Sequence, residues 1–155
     1  MSIALRSSRP GDIDWLVELR ADVLRPDLER LGRYDERRVR DRMRLSFRPE
    51  WTRVIVEGGD DVGSITARPE GSVRWIEHFY LARERQGAGL GGDVLRVVIA
   101  EPWEGTTRLN VLQGSPARRL YERNGFVAYA EDDVDVFMTL RASPSRRTRT
   151  ARPRD

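Results

Sequence analysis

Residues Gln86, Gly87, Ala88, Gly89, Leu90, Gly91 and Gly92 follow an apolar strand expected over 75–81 and open an apolar helix expected over 90–100. Glycines let a backbone approach a ligand closely, and a helix start offers unpaired N–H donors at the positive end of its dipole. A diphosphate is the natural ligand of such a strand–loop–helix unit. Gly87, Gly89 and Gly92 satisfy the dinucleotide spacing G-x-G-x-x-G. That site also wants an acidic residue roughly 20 positions on, at the end of the next strand, to hold a ribose hydroxyl. The next strand, expected over 107–112, ends in Gln113 and Gly114, and Glu101 and Glu104 come before it. The nucleotide reading loses its second anchor.

The same loop fits a second pattern better. Gln86, Gly89 and Gly91 match [QR]-x-x-G-x-[GA], the acyl-CoA spacing, and the stretch 76–91 (Ile76, Glu77, His78, Phe79, Tyr80, Leu81 and on to Gly91) resembles motif A of the GNAT superfamily of acyl-CoA-dependent N-acyltransferases. Residues 110–126, with Asn110, Ser115, Ala117, Tyr121, Gly125 and Phe126, resemble that family's motif B, whose helix ends in Tyr-x-x-x-Gly-Phe. The resemblance covers about residues 2–140. It implies an α+β fold: a mixed, mostly antiparallel sheet of about seven strands flanked by about four helices, with a splayed strand pair holding acetyl-CoA. It further implies main-chain contacts from Phe79, Tyr80 and Leu81 to the pantetheine arm, and diphosphate binding by Gln86, Gly87, Ala88, Gly89, Leu90, Gly91 and Gly92. Asn110, Ser115, Ala117 and Tyr121 complete the implied CoA site. The family usually offers an Asn to the CoA arm at the turn where this chain has Gly114 and Ser115, so Asn110 or the Ser115 hydroxyl would substitute, the latter also being a helix cap by type.

Acyl transfer to an amine needs donors for the developing oxyanion, an acid for the thiolate and a base for the amine. By resemblance Tyr121 is the general acid: an ordinary phenol, pKa near 10, is protonated at pH 7 and can serve a leaving thiol of pKa about 8.5. An alkylamine of pKa about 10.4 is free in only one molecule in roughly 2,500 at pH 7, so a base is required. Glu77 is the candidate, expected on the face of Phe79 by the strand period of two. A carboxylate with an ordinary pKa near 4.3 would act after burial or through water, and pairing with an arginine is its structural alternative. His78, the only histidine, has the better ordinary pKa, but alternation turns it to the opposite face. With one histidine and no cysteine, disulfides and thiol nucleophiles are excluded and no metal is expected.

The elements that must hold these groups fit one domain, 1–140, followed by an Arg-rich tail, 141–155, expected to be disordered. All 28 basic residues are Arg; the tail has six with one Asp, hence +5, and the preceding 140 residues have 22 against 24 acids, hence −2. A slightly acidic body makes nucleic acid an unexpected partner, and without an apolar run of membrane length or a signal-like start a cytoplasmic protein is expected. The expected elements are a strand over 2–6, a helix capped by Asp12 and broken at Pro26, and a charged helix over 35–47. A hairpin over 52–57 and 61–68 leads into the β–glycine loop–α–β unit, and a helix over 115–124 and strands over 126–130 and 134–140 close the chain.

The expectation is an N-acetyltransferase moving an acetyl group from acetyl-CoA to an amine by direct transfer, as a monomer or homodimer. A CoA-binding or interaction module without turnover is the alternative, and a dinucleotide-binding protein the next. The acceptor is open among small amines, amino acids, peptide N-termini and aminoglycosides. Glu77, Asp133 and Asp135 would attract a polycation, and acceptor choice is expected mainly over 24–51.

Overall fold

The structure is a computed structural model and describes residues 3–142; the expected tail lies outside the described residues from position 143 on. Strands β1 (Ile3–Ser7), β2 (Thr52–Glu57), β3 (Asp60–Glu70), β4 (Val73–Leu81), β5 (Thr106–Leu112), β6 (Val127–Glu131) and β7 (Asp135–Leu140) form one sheet in the order β1-β2-β3-β4-β5-β7-β6. Helices α1 (Ile13–Arg30), α2 (Glu36–Ser46), α3 (Leu90–Ala100) and α4 (Ala117–Arg123) flank it. Every adjacent pair is antiparallel except β4 and β5. Those two pair only through Val73↔Thr106, Arg74↔Thr107 and Trp75↔Arg108, and then part. The expected mixed sheet with a splayed pair is therefore present. A single parallel pair gives no switch point of a doubly wound sheet, which removes the context of the dinucleotide reading.

Two apolar layers hold the frame. On one face Ile65, Ile76, Leu109, Val111, Val136 and Met138 pack with Val94, Leu95 and Val98 of α3. On the other, Leu16 and Val17 of α1 and Met43 of α2 pack with Tyr80 of β4. Each fully buried aliphatic side chain contributes about 1.5–3 kcal/mol by leaving water.

Three local expectations are overturned. The first helix does not break at Pro26 but runs on to Arg30. Proline lacks the N–H that the Asp22 carbonyl would accept four residues earlier, and the Arg83 guanidinium supplies the replacement, donating to that carbonyl and, at 3.0 Å, to the Asp22 carboxylate. Asp12 does not cap α1; a short 3₁₀ turn precedes the helix, and the carboxylate accepts from Arg6, from the Arg9 N–H at 2.9 Å and from the Trp15 indole at 2.9 Å. Strand alternation fails in β4: the register jumps between Ser64↔Tyr80 and Thr66↔Glu77, with His78 at φ +44°. This β-bulge puts one extra residue into β4 opposite Ile65.

Candidate active site

The glycine loop is built as a row of donors. Gly87 and Gly89 both have φ +85°, and Gly89 is the residue from which α3 starts. L side chains strain at that φ, which is why glycine is required there. The first backbone bond of α3 runs from Asp93 N–H to the Gly89 carbonyl at 3.1 Å. Among the described residues, no group accepts from the N–H of Gly87, Ala88, Gly89, Leu90, Gly91 or Gly92. These amides converge at the positive end of an 11-residue helix, the arrangement that suits a diphosphate.

The loop is anchored on both sides. Arg83 ties it to α1, and Arg85 bonds Glu57 at 2.6 Å and Asp60 at 3.1 Å on the β2–β3 hairpin. Gln86 belongs to this anchoring: its N–H bonds the Arg83 carbonyl and its side-chain amide donates to the Leu81 carbonyl at 2.9 Å. Its backbone N–H and one side-chain N–H are used within the fold, whereas the backbone N–H groups of 87–92 are not. A Cβ on Gly91 would lie 3.5 Å from Leu81 and Leu120 and 3.9 Å from Phe79, so Gly91 marks the contact of α3 with the end of β4 and with α4.

The bulge redistributes the candidate residues of β4. Phe79 and Leu81 point to the α3 side, and Tyr80 to the α1 and α2 side. Glu77, paired with Thr66, lies on the face opposite Phe79, and the His78 ring shares the face of Tyr80 and α2. The alternation argument for Glu77 is thus corrected, because the extra residue shifts the period by one; His78 does lie opposite Phe79, but it shares its face with Glu77.

Four groups form a directed hydrogen-bonded chain behind the bulge. Arg20 Nε donates to the Tyr80 hydroxyl at 2.9 Å, and Tyr80 lies 3.1 Å from His78 Nδ1. His78 Nε2 lies 2.8 Å from Ser46 Oγ, and Ser46 donates to the Arg42 carbonyl at 2.7 Å. Because the Ser46 hydroxyl spends its proton on Arg42, His78 carries hydrogen on Nε2 and accepts from Tyr80 on Nδ1. Burial, reinforced by the Arg20 charge, lowers the His78 pKa to about 4, so the ring is neutral. This chain pins α1 and α2 to the splayed strand.

Tyr121 is 7% exposed, meets Phe126 edge-on at 5.9 Å, and has its phenol pKa pushed up by burial and then by the Tyr80 phenol. Among the described residues nothing accepts its hydroxyl proton. Glu77 is held by Arg68, whose Nη2 lies 2.8 Å from Oε1 and whose Nη1 reaches Glu70. Ser115 Oγ accepts from the Ala117 N–H at 3.2 Å just ahead of α4, whose N-cap position is Pro116, Ala117 packs against the α3-side core, and Asn110 is exposed on β5. On β7, burial and then Asp132 raise the Asp135 pKa, while Arg42 of α2 opposes the rise. Among the described residues no group of three or more His, Cys, Asp or Glu is arranged to hold a metal ion, and no helix is long and apolar enough to cross a membrane. Sequence reasoning missed Arg20, Ser46 and Arg68: each lies nine or more residues from the β4 residue it holds (Tyr80, His78 and Glu77), and no local spacing marks them.

A splayed parallel pair in a mostly antiparallel sheet, closed at its open end by an anchored donor loop, defines an acyl-CoA-type transferase fold. Residues 49–128 match the acetyltransferase (GNAT) domain, and the chain belongs to that family. It is similar to the PaiA N-acetyltransferase of Thermoplasma acidophilum solved with coenzyme A, at 18% identity and TM-score 0.71, covering 92% of this chain and 100% of that one. It is similar to PH1933 from Pyrococcus horikoshii OT3, at 20% identity and TM-score 0.72, over 92% and 99% of the two chains. A Brucella melitensis GNAT family acetyltransferase in complex with acetyl-CoA aligns at 22% identity and TM-score 0.62, over 92% and 90%. No curated protein matches the sequence.

Proposed function

We propose that the protein transfers an acetyl group from acetyl-CoA directly to a primary amine. The observation that carries this reading is the run of unpartnered amides at 87–92 at the mouth of the β4–β5 gap. The diphosphate sits on those amides, and the pantetheine arm follows β4 past Leu81, Tyr80 and Phe79, with Asn110, Ser115, Ala117 and Tyr121 on the α4 side. The neutral amine attacks the thioester carbonyl carbon, and the C=O electrons move to oxygen, where β4 main-chain donors stabilise the charge. Collapse breaks the C–S bond. Tyr121 donates its proton to the departing sulfur and is reprotonated through solvent, and the surplus ammonium proton leaves through water towards Glu77. Burial keeps the Tyr121 phenol protonated at working pH, and its lack of a protein acceptor leaves it free for sulfur. We place the activity in the cytoplasm.

One observation favours a second reading. Glu77 is already engaged by Arg68, which fits a CoA-binding module without turnover. Thiol release from acetyl-CoA in the presence of an amine panel separates the two: the enzyme releases free CoA in step with amine consumption. A module is protected against heat by acetyl-CoA but releases no thiol.

A further inference from the structure

Arg108 marks the point where the sheet opens. It stands on β5 at the last rung before β4 and β5 part, paired with Trp75 on one side and Thr139 of β7 on the other. Its neighbours Leu109 and Val111 face α3, so Arg108 faces the opposite side, where β5, β7 and β6 lie beyond the strands that α1 and α2 cover. Its guanidinium lies over the Tyr129 ring at 4.9 Å, and among the described residues it has neither a hydrogen-bond acceptor nor an acidic partner. Unlike the unpaired arginines at the surface, it has a buried Nε, and directly across the strands Thr139 Oγ1 is also buried without a partner. Two adjacent orphaned polar atoms on one cross-strand pair are costly unless something binds there.

We propose that Arg108 and Thr139 form the subsite for a carboxylate carried by the amine acceptor, so that the substrate is a zwitterion with its two charges well separated. This rests on the acetyltransferase reading above. A guanidinium lying over an aromatic ring keeps its Nη donors available for a carboxylate, and the Thr139 hydroxyl adds one donor. The charge layout is matched: Glu77 of β4 and Asp135 of β7 stand on the same face further along the strands, towards the reacting end, and Arg108 stands at the closed end. Phe79 lies four residues beyond Trp75 across the bulge, at most roughly 13 Å at the usual strand rise. With the guanidinium held over Tyr129, a carboxylate bound to it lies several atoms from an amine at the Phe79 end. A six-carbon ω-amino acid has that separation of charges, as does the side-chain amine of a free diamino acid; glycine is too short.

The test uses 6-aminohexanoate and its neutral isostere 6-aminohexanamide. Wild-type protein is expected to favour the acid in kcat/KM by about 10- to 100-fold, the range for a hydrogen-bonded charge pair, and Arg108→Gln is expected to bring the ratio near one. Thr139→Val, which keeps the side-chain shape, is expected to lower the ratio several-fold. Calorimetry of 6-aminohexanoate on the CoA-loaded protein reads the same subsite without turnover: binding should weaken at least tenfold in Arg108→Gln. No preference in the wild type, a preference that survives Arg108→Gln, or equal binding by both proteins overturns the proposal. Absence of thiol release with every amine, while Arg108-dependent binding persists, would refute the transferase reading instead and leave the subsite standing.

Discussion

Replacing Tyr121 by Phe separates packing from chemistry, because the structure gives the two parts of the side chain different work. The ring meets Phe126 edge-on at 5.9 Å within the α3-side core, and phenylalanine keeps that contact. The hydroxyl donates to no described protein group, so its removal breaks no bond within the fold, and a buried polar atom without a partner costs about 1–3 kcal/mol. Stability in urea should therefore stay within about 1 kcal/mol of wild type or rise. Acetyl-CoA affinity, measured by calorimetry, should stay within a few-fold. Loss of the proton donor should lower turnover about 10²-fold, the low end of general acid catalysis and about 2.7 kcal/mol on the barrier. Single-turnover release of thiol with a saturating amine reads the chemical step. A wild-type rate under conditions where chemistry limits turnover would refute the role of Tyr121 and assign the proton to ordered water. A stability loss well above 1 kcal/mol would show instead that the hydroxyl is structural.

Other outcomes follow from single features. Gly89→Val should weaken acetyl-CoA binding at least tenfold by calorimetry, since φ +85° costs a β-branched residue about 1–2 kcal/mol and a side chain there stands over the donor row. Glu77→Gln should move the pH profile of kcat/KM to the alkaline side, because more of the amine must then be free in solution; an unmoved profile would leave Glu77 as the partner of Arg68 alone. His78 is held neutral with its pKa lowered to about 4, so the unfolded chain binds the extra proton between about 6.5 and 4. The corresponding stability is fully present above about pH 6.5 and is lost as pH falls through that window. It amounts to about 3 kcal/mol and is measurable as a denaturation midpoint whose pH dependence exceeds that of His78→Asn.

Local signals marked some elements and not others. Helix α3 could be bounded from sequence because glycines stop the strand, Gly89 starts the helix, and the apolar period runs unbroken to Ala100. Helix α2 was legible because Asp35 caps it, accepting from the Arg38 N–H at 2.8 Å. Helix α1 was not: the residue that rescues Pro26 is Arg83, 61 positions from the Asp22 carbonyl it serves. The β4 bulge was hidden for a similar reason. No Gly or Pro stands at His78, and only pairing with β3 and the Arg20–Tyr80–His78–Ser46 chain make a positive φ tolerable there. A strict two-residue period therefore puts Glu77 on the wrong face, although it puts His78 opposite Phe79 as observed. The glycine loop and the Tyr-x-x-x-Gly-Phe helix end were readable from contiguous residues. The orphaned pair at Arg108 and Thr139 needed the register of two strands 31 residues apart in the chain.

On the proposed reading, acetyl-CoA is consumed on this site by transfer to an amine. The most direct measurement mixes the protein with acetyl-CoA and a panel of primary amines, and follows free thiol together with the mass of each amine. The expected result is thiol release that requires the amine, with a matching gain of one acetyl group on its nitrogen. Thermal protection by acetyl-CoA without thiol release from any amine would contradict it, as would thermal protection by NAD and not by acetyl-CoA.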